Sequence, residues 1–220
     1  MTRVMFGAIY GAEGSSPDAL LAVAREFSPR IDAVSRLEVV LDLSGMARLF
    51  GDARTIAEEL RRTAADRNLQ IRVAIAGTRT AARLMVRHRA GISIVEPGTE
   101  ADALASLPLA LLGELLVNSQ FPISNSQPFP TPNSQIAQNS EQRTKKLGVG
   151  GWQWLGVGNW ELGIVFKRWG LRTLGNLASL PADDLAARLG PEGVRWQRLA
   201  RGEDVAPLVH HFIRRFNDEL

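Results

Sequence analysis

Two adjoining tracts in the middle of the chain cannot belong to an ordinary hydrophobic core. Residues 118–142 are dominated by Asn, Ser, Gln and Pro, with Asn-Ser-Gln at 118–120, 125–127 and 133–135. So few apolar side chains cannot offset the entropy of ordering the backbone, and the tract reads as disordered. Residues 147–162 are the opposite, an eight-residue repeat rich in Gly and Trp that runs from Leu147 to Trp154 and again from Leu155 to Leu162. Residues 118–164 are therefore an insertion, and folding falls to residues 1–117 and 165–208. No staple helps them. The 220 residues contain no cysteine and three histidines, which excludes disulfides, thiolate zinc sites and a cysteine nucleophile, and leaves no multi-histidine metal site.

The two tracts are related through the genetic code. Reverse-complementing a codon turns Gln into Leu, Ser into Gly, Pro into Trp and Asn into Val. Read backwards in this way, Asn118–Gln135 gives Leu147–Ile164 at every position except Phe129 opposite Gln153. The pairing stops at Ile136 against Lys146 and at Val117 against Val165. The hypothesis is an inverted DNA repeat translated into protein, and a coding sequence without a long hairpin there would end it. Gly156-Val157-Gly158 imitates the hairpin of a helix-hairpin-helix DNA-binding motif, whose glycines let backbone amides approach a phosphate. The repeat accounts for that triplet, and for Trp152, Trp154 and Trp160, without any nucleic-acid site.

Ahead of the insertion, strand-like and helix-like patterns alternate. Ala19–Glu26 has helical apolar spacing, and Leu37–Leu43 is a β-rich run ending at Ser44-Gly45. Asp52 caps a helix running to Arg67, with Ile56, Leu60 and Ala64 on one face. Ile71–Ile75 alternates with period two. Thr78 then caps a helix with Leu84 and Met85 inward and Arg79, Arg83 and Arg87 on another stripe. Ile92–Val95 is a further short strand. The fold class is α+β, a small sheet with helices on one face. After the insertion, residues 165–208 form a small all-α unit. Gly170 stops a helix, Thr173 caps the next, and helices follow over Ala182–Leu189 and Gly193–Arg201, with arginines at 188, 195, 198 and 201. Residues 209–220, including His210-His211, read as a tail.

Charge and hydropathy narrow the partners. Twenty-six Lys and Arg against 23 Asp and Glu give a net charge of +3, which permits a polyanion without demanding one. No apolar run is long enough to span a membrane, and Met1–Phe6 is too short for a signal peptide, so the expectation is a soluble, cytoplasmic protein.

The string Val39-Val40-Leu41-Asp42-Leu43-Ser44-Gly45 resembles the palm of the Y-family, or translesion, DNA polymerases. The resemblance continues through Val73–Arg79 and Leu107-Pro108-Leu109, then through Trp169–Pro181 and Leu199–Asp204, which are similar to the family's helical thumb. Phe27-Ser28-Pro29-Arg30-Ile31 and Ala76-Gly77-Thr78-Arg79-Thr80 resemble the ImuB-like mutasome branch, polymerase homologues that have lost catalytic acids. The resemblance implies a partial palm over 1–117 and a thumb-like DNA-binding domain over 165–208.

It also implies two-metal nucleotidyl transfer in active relatives, with magnesium held by three carboxylates. Here Ser35-Arg36-Leu37-Glu38 stands where the family has Ser-x-Asp-Glu, so Glu38 is the remnant acid, and Met5–Tyr10 carries none. The expectation is therefore no enzyme, no catalytic residue, no bound metal and no cofactor. The family's fingers and little finger are also expected to be missing. Arg79 and Arg83 fall where active relatives carry lysines beside the nucleotide, and are candidate phosphate contacts or a solvated face. Arg172, Thr173 and Gly175 lie in a turn suited to holding a DNA phosphate through backbone amides, while Arg195, Arg198 and Arg201 form a helical set that suits a DNA backbone or solvent.

The function implied is DNA repair by translesion synthesis within SOS mutagenesis, through binding damaged or primer-template DNA or a partner. Partners of this kind are an error-prone polymerase, a sliding clamp or a recombinase. The alternatives are a protein-interaction remnant and a decayed gene product without DNA binding.

Overall fold

The computed structural model describes residues 4–118, 166 and 168–204. The Gly-Trp repeat, the tail after residue 204 and nearly all of the polar tract lie outside them, as does the expectation of disorder placed there.

Thirteen elements follow in chain order among the described residues. They are β1 (Phe6–Gly11), α1 (Pro17–Phe27), β2 (Ile31–Ser35), β3 (Glu38–Asp42), α2 (Ala47–Phe50), α3 (Ala53–Ala65), β4 (Ile71–Ala76) and α4 (Arg79–His88), then β5 (Ile92–Ile94), α5 (Glu100–Leu104), α6 (Ala110–Asn118), α7 (Leu174–Ala178) and α8 (Ala182–Ala200). Local chemistry sets their starts. Ser16 accepts from the Ala19 amide with Pro17 in the first turn, Asp52 accepts from Thr55, and Thr78 accepts from Ala81. α8 is broken at Gly190 (φ 66°), where the sequence separates two helices.

The strands form one sheet in the order β2-β3-β1-β4-β5. β1 is central and antiparallel to both neighbours, with Ala8 opposite Val40 on one side and Ala74 on the other, whereas β4 and β5 run parallel. Successive residues of a strand point to opposite faces, so the sheet separates two cores. Ile9, Val39, Leu41, Val73 and Ile75 meet α1 and α3 through Leu20, Val23, Phe27, Ile56 and Leu60. Ala8, Val40, Ala74 and Ala76 meet α4, and behind it the apolar residues of α5 to α8. The α+β class is as expected, a five-stranded sheet packed with helices, and only the one-face detail changes, since helices cover both faces. The physical sign is in the strands, since Val39-Val40-Leu41 and Val73-Ala74-Ile75-Ala76 are apolar at consecutive positions, as a sheet buried on both sides requires.

Among the described residues, the helices after the insertion own no separate core. Leu174, Leu177, Leu185, Trp196 and Leu199 are buried in the same cluster as α4 and α6. Backbone hydrogen bonds tie them down, from Leu109 N to Arg172 O (2.9 Å), Leu174 N to Leu107 O (2.9 Å) and Gly175 N to Ala105 O (3.0 Å).

Candidate functional site

Glu38, Val40 and Asp42 of β3 share a face with Phe6, Ala8 and Tyr10 of β1, because Tyr10 lies opposite Glu38 and Phe6 opposite Asp42. α4 lies over this face. Seven consecutive residues of α4, Thr80 to Val86, are buried, so its arginines have little water to turn to.

Each arginine of the stripe instead finds an acid. Arg79 Nη2 lies 2.5 Å from Asp32 Oδ2 on β2. Arg83 Nε donates to Glu38 Oε1 at 2.8 Å, and Arg87 Nε to Glu38 Oε2 at 2.9 Å, with Arg87 Nη2 on the same oxygen. Arg87 Nη1 also approaches Glu114 Oε2 of α6 at 4.0 Å. Glu38 is 0% exposed and Arg83 7%. Arg72 of β4 closes the end of the row, donating to the Arg87 carbonyl at 3.0 Å. Neither a phosphate-facing stripe nor a solvated one is present: Arg79 and Arg83 are corrected to partners inside the fold. A charge leaves water only when a nearby opposite charge and hydrogen bonds compensate it, and Glu38 and Asp32 supply both.

The helix end beside the stripe is taken as well. The Asp204 carboxylate accepts from Arg79 N (3.2 Å) and Thr80 N (2.9 Å), the first amides of α4. A residue from the far end of the thumb-like unit thus fills the place suggested for a phosphate.

Magnesium, implied by the resemblance, does not fit here. Both oxygens of Glu38 are engaged by guanidinium groups, Leu37 stands at the neighbouring acid position, and β1 contributes Phe6, Ala8 and Tyr10 to this face. Among the described residues no group of three or more His, Cys, Asp or Glu is arranged to hold a metal. Asp42 serves the turn after β3, accepting from Ser44 N at 2.9 Å and pairing with Arg30.

In the thumb-like unit the turn amides are already committed. Arg172 N and Thr173 N donate to Asn176 Oδ1 (3.2 Å each), and Thr173 Oγ1 accepts from Asn176 N in a capping box. Leu174 N and Gly175 N go to Leu107 O and Ala105 O. A Cβ at Gly175 would stand 2.9 Å from both Ala105 Cβ and Ala105 O, so this glycine exists for close approach. Thr173 and Gly175 are thereby corrected from phosphate ligands to packing and capping residues. Arg172 keeps an exposed side chain. Arg195 and Arg198 are exposed on α8, paired with Glu192 at 3.4 Å and Glu203 at 2.8 Å. Arg201 donates to the Ala178 carbonyl through Nε (3.1 Å) and Nη2 (2.9 Å), which fastens it to α7. Arg188 lies over the Trp169 ring at 5.7 Å, an exposed pair the sequence does not single out. Glu114, Asp32 and Asp204 were also not legible as site residues, since their partners lie far away in sequence.

Residues 12–87 match the model of the impB/mucB/samB family. DNA polymerase IV 2 of Mesorhizobium japonicum is 36% identical over 98 residues, covering 43% of this chain and 24% of that protein. DNA polymerase IV of Dehalococcoides mccartyi is 24% identical over 194 residues, covering 87% of this chain and 39% of the relative. The crystal structure of DinB from Sulfolobus solfataricus shares the fold with a TM-score of 0.51 at 13% identity, over 88% of this chain and 46% of that one. The chain thus spans less than half the length of each. The expectation that the chain is not an enzyme is overturned by these relatives, which are DNA polymerases by name, the second of them matching over 87% of this chain. That expectation rested on missing acids alone. Among the described residues, no helix is long and apolar enough to cross a membrane.

Proposed function

We propose that this chain, similar to the impB/mucB/samB family over residues 12–87 and to DNA polymerase IV proteins, is a Y-family polymerase-like protein of DNA damage bypass whose thumb helix holds duplex DNA by its phosphates. The proposal assigns the palm to residues 1–117 and the thumb to 165–208. The observation that carries it is the contrast in arginine exposure. The palm arginines of α4 are enclosed, whereas Arg195 and Arg198 stand three residues apart on the outer side of α8, with Arg172 exposed at the turn before α7. Residues three apart on a helix lie on one side, so the α8 pair can reach neighbouring phosphates together.

Their carboxylate partners do not oppose this. Exposed ion pairs contribute little in water, and a phosphate can replace Glu192 or Glu203 at small cost. Arg201 belongs to the interface only as a neighbour, since its guanidinium is held by α7. The proposal extends to protein companions of the kind the resemblance implies, namely an error-prone polymerase, a sliding clamp or a recombinase, read out by co-purification.

The test is binding of labelled primer-template DNA across a salt series. Binding should weaken steeply with salt, and Arg195→Ala with Arg198→Ala should flatten the slope by roughly one unit for each lost phosphate contact. A wild-type protein that fails to bind at low salt overturns the reading.

A further inference from the structure

The thumb-like helices meet the palm at two places of different kinds. At the first, Arg172, Leu174 and Gly175 form backbone–backbone hydrogen bonds with Leu109, Leu107 and Ala105. No side-chain change removes those. At the second, beyond the end of α8, the contacts run through side chains. Thr78 Oγ1 donates to Gly202 O at 2.5 Å while accepting from Ala81 N at 3.2 Å, and the Asp204 carboxylate accepts from Arg79 N and Thr80 N, 125 and 124 residues away in sequence.

The chain is shaped to deliver Asp204 there. Gly202 turns with φ +78°, in the left-handed region that side-chain-bearing residues rarely adopt. A Cβ on it would stand 2.9 Å from Leu104 Cδ1 and 3.0 Å from Glu100 Cβ, so the turn sits hard against α5. Between the two attachments lies apolar contact, which is strong but non-directional and does not by itself fix an angle.

We propose that Asp204 is the latch that sets the orientation of the thumb-like helices on the palm. The first amides of a helix have no partner inside it, and a carboxylate at that end gains from both the hydrogen bonds and the helix dipole. Charge-assisted hydrogen bonds of this kind are about twice as strong as neutral ones. Asp204 is thus shared: it caps the palm's α4 and anchors the chain leaving α8. With the carboxylate removed, α8 is free to pivot about the backbone ladder at residues 172–175. The inference does not depend on DNA binding.

Hydrogen exchange on the full chain tests it, comparing wild type with Asp204→Asn and Asp204→Ala. The Asn variant keeps one carbonyl acceptor and guards against outright unfolding. Amides of α7 and α8 should exchange at least about tenfold faster in Asp204→Ala, with Asp204→Asn between it and wild type, while β1, β3 and β4 keep their protection. Unchanged exchange in α8, sheet amides that loosen equally, or any other order of the three proteins overturns the latch.

Discussion

Two helices of this chain carry arginines at regular spacing, and the fold uses them in opposite ways. On α4, Arg79, Arg83 and Arg87 recur every fourth residue and are drawn into the molecule onto Asp32 and Glu38. Along α8 and at the residue that caps it, Arg195, Arg198 and Arg201 recur every third and face outward, with surface acids or a carbonyl for company. The arginines are the same; their flanks differ. Between Arg79 and Arg87, Ala81, Ala82, Leu84, Met85 and Val86 put apolar groups around most of the helix, so any orientation buries a charge. In α8 the inward side is Leu185, Trp196, Leu199 and Ala200, which leaves a polar side for solvent. An arginine stripe announces a binding face only when the residues between its members leave that face free.

The comparison breaks most visibly at Glu38. Glu38→Ala leaves Arg83 and Arg87 without their shared carboxylate inside the fold and should destabilise the protein by about 3–5 kcal/mol, measured by denaturant unfolding. For a domain of ordinary stability that is a large part of the whole. Replacing all three together, Glu38→Leu with Arg83→Met and Arg87→Leu, should return the protein to parental stability or above it, since the replacement leaves no unpaired charge in the interior. A Glu38→Ala protein as stable as wild type would mean that water reaches these guanidiniums and that the two helices do not differ as described.

The opposite outcome is expected on α8. Arg195→Ala with Arg198→Ala should change unfolding free energy by less than about 1 kcal/mol, because both ion pairs are at the surface. The same double variant should lose DNA affinity and salt slope together. Loss of stability without loss of DNA binding would reverse the assignment of the two helices.

Gly175→Ala separates packing from phosphate contact in the turn between them. The added methyl meets Ala105 backbone and side chain at 2.9 Å, and the expected cost is about 1–3 kcal/mol of stability. DNA affinity of the folded fraction should stay at the wild-type value, because the Gly175 amide already serves Ala105. A drop in affinity with unchanged stability would restore the phosphate role.

How much of this was legible follows from range along the chain. The helices capped by Asp52 and Thr78 and the strands at Glu38–Asp42 and Ile71–Ala76 were readable because caps and apolar period are local signals. β2 was not, since Ile31–Ser35 mixes Asp32 and Ser35 with apolar residues and its ladder shifts between Ala33 and Ser35. The α8 arginines at 195 and 198 were legible as an exposed set, whereas the enclosure of Arg83 was decided by Glu38, 45 residues away. The Asp204 cap on α4 joins residues with no shared local pattern. Even so, the burial of α4 had a local sign in the unbroken apolar content of Ala81–Val86 outside Arg83.

The same division between enclosed and exposed charge extends to the caps, and gives the smallest effect. Asp204 bridges two parts of the fold, while Asp52 caps only its own helix at the surface, accepting from Thr55 N and Thr55 Oγ1 at 2.8 Å each. The Thr55 backbone amide, followed by its hydroxyl, holds the Asp52 carboxyl below its usual value of 3.8. A carboxyl bound more tightly in its ionised form by the folded state stabilises that state above its unfolded pKa, and the contribution is lost as pH falls through the lower folded value. Asp52→Ala should therefore lower the melting temperature slightly at neutral pH. The gap to wild type should close as the solution is acidified below the carboxylate range, where the native cap is protonated too. A gap that stays constant down to that acidity would assign the effect to helix propensity at position 52, with the charge playing no part.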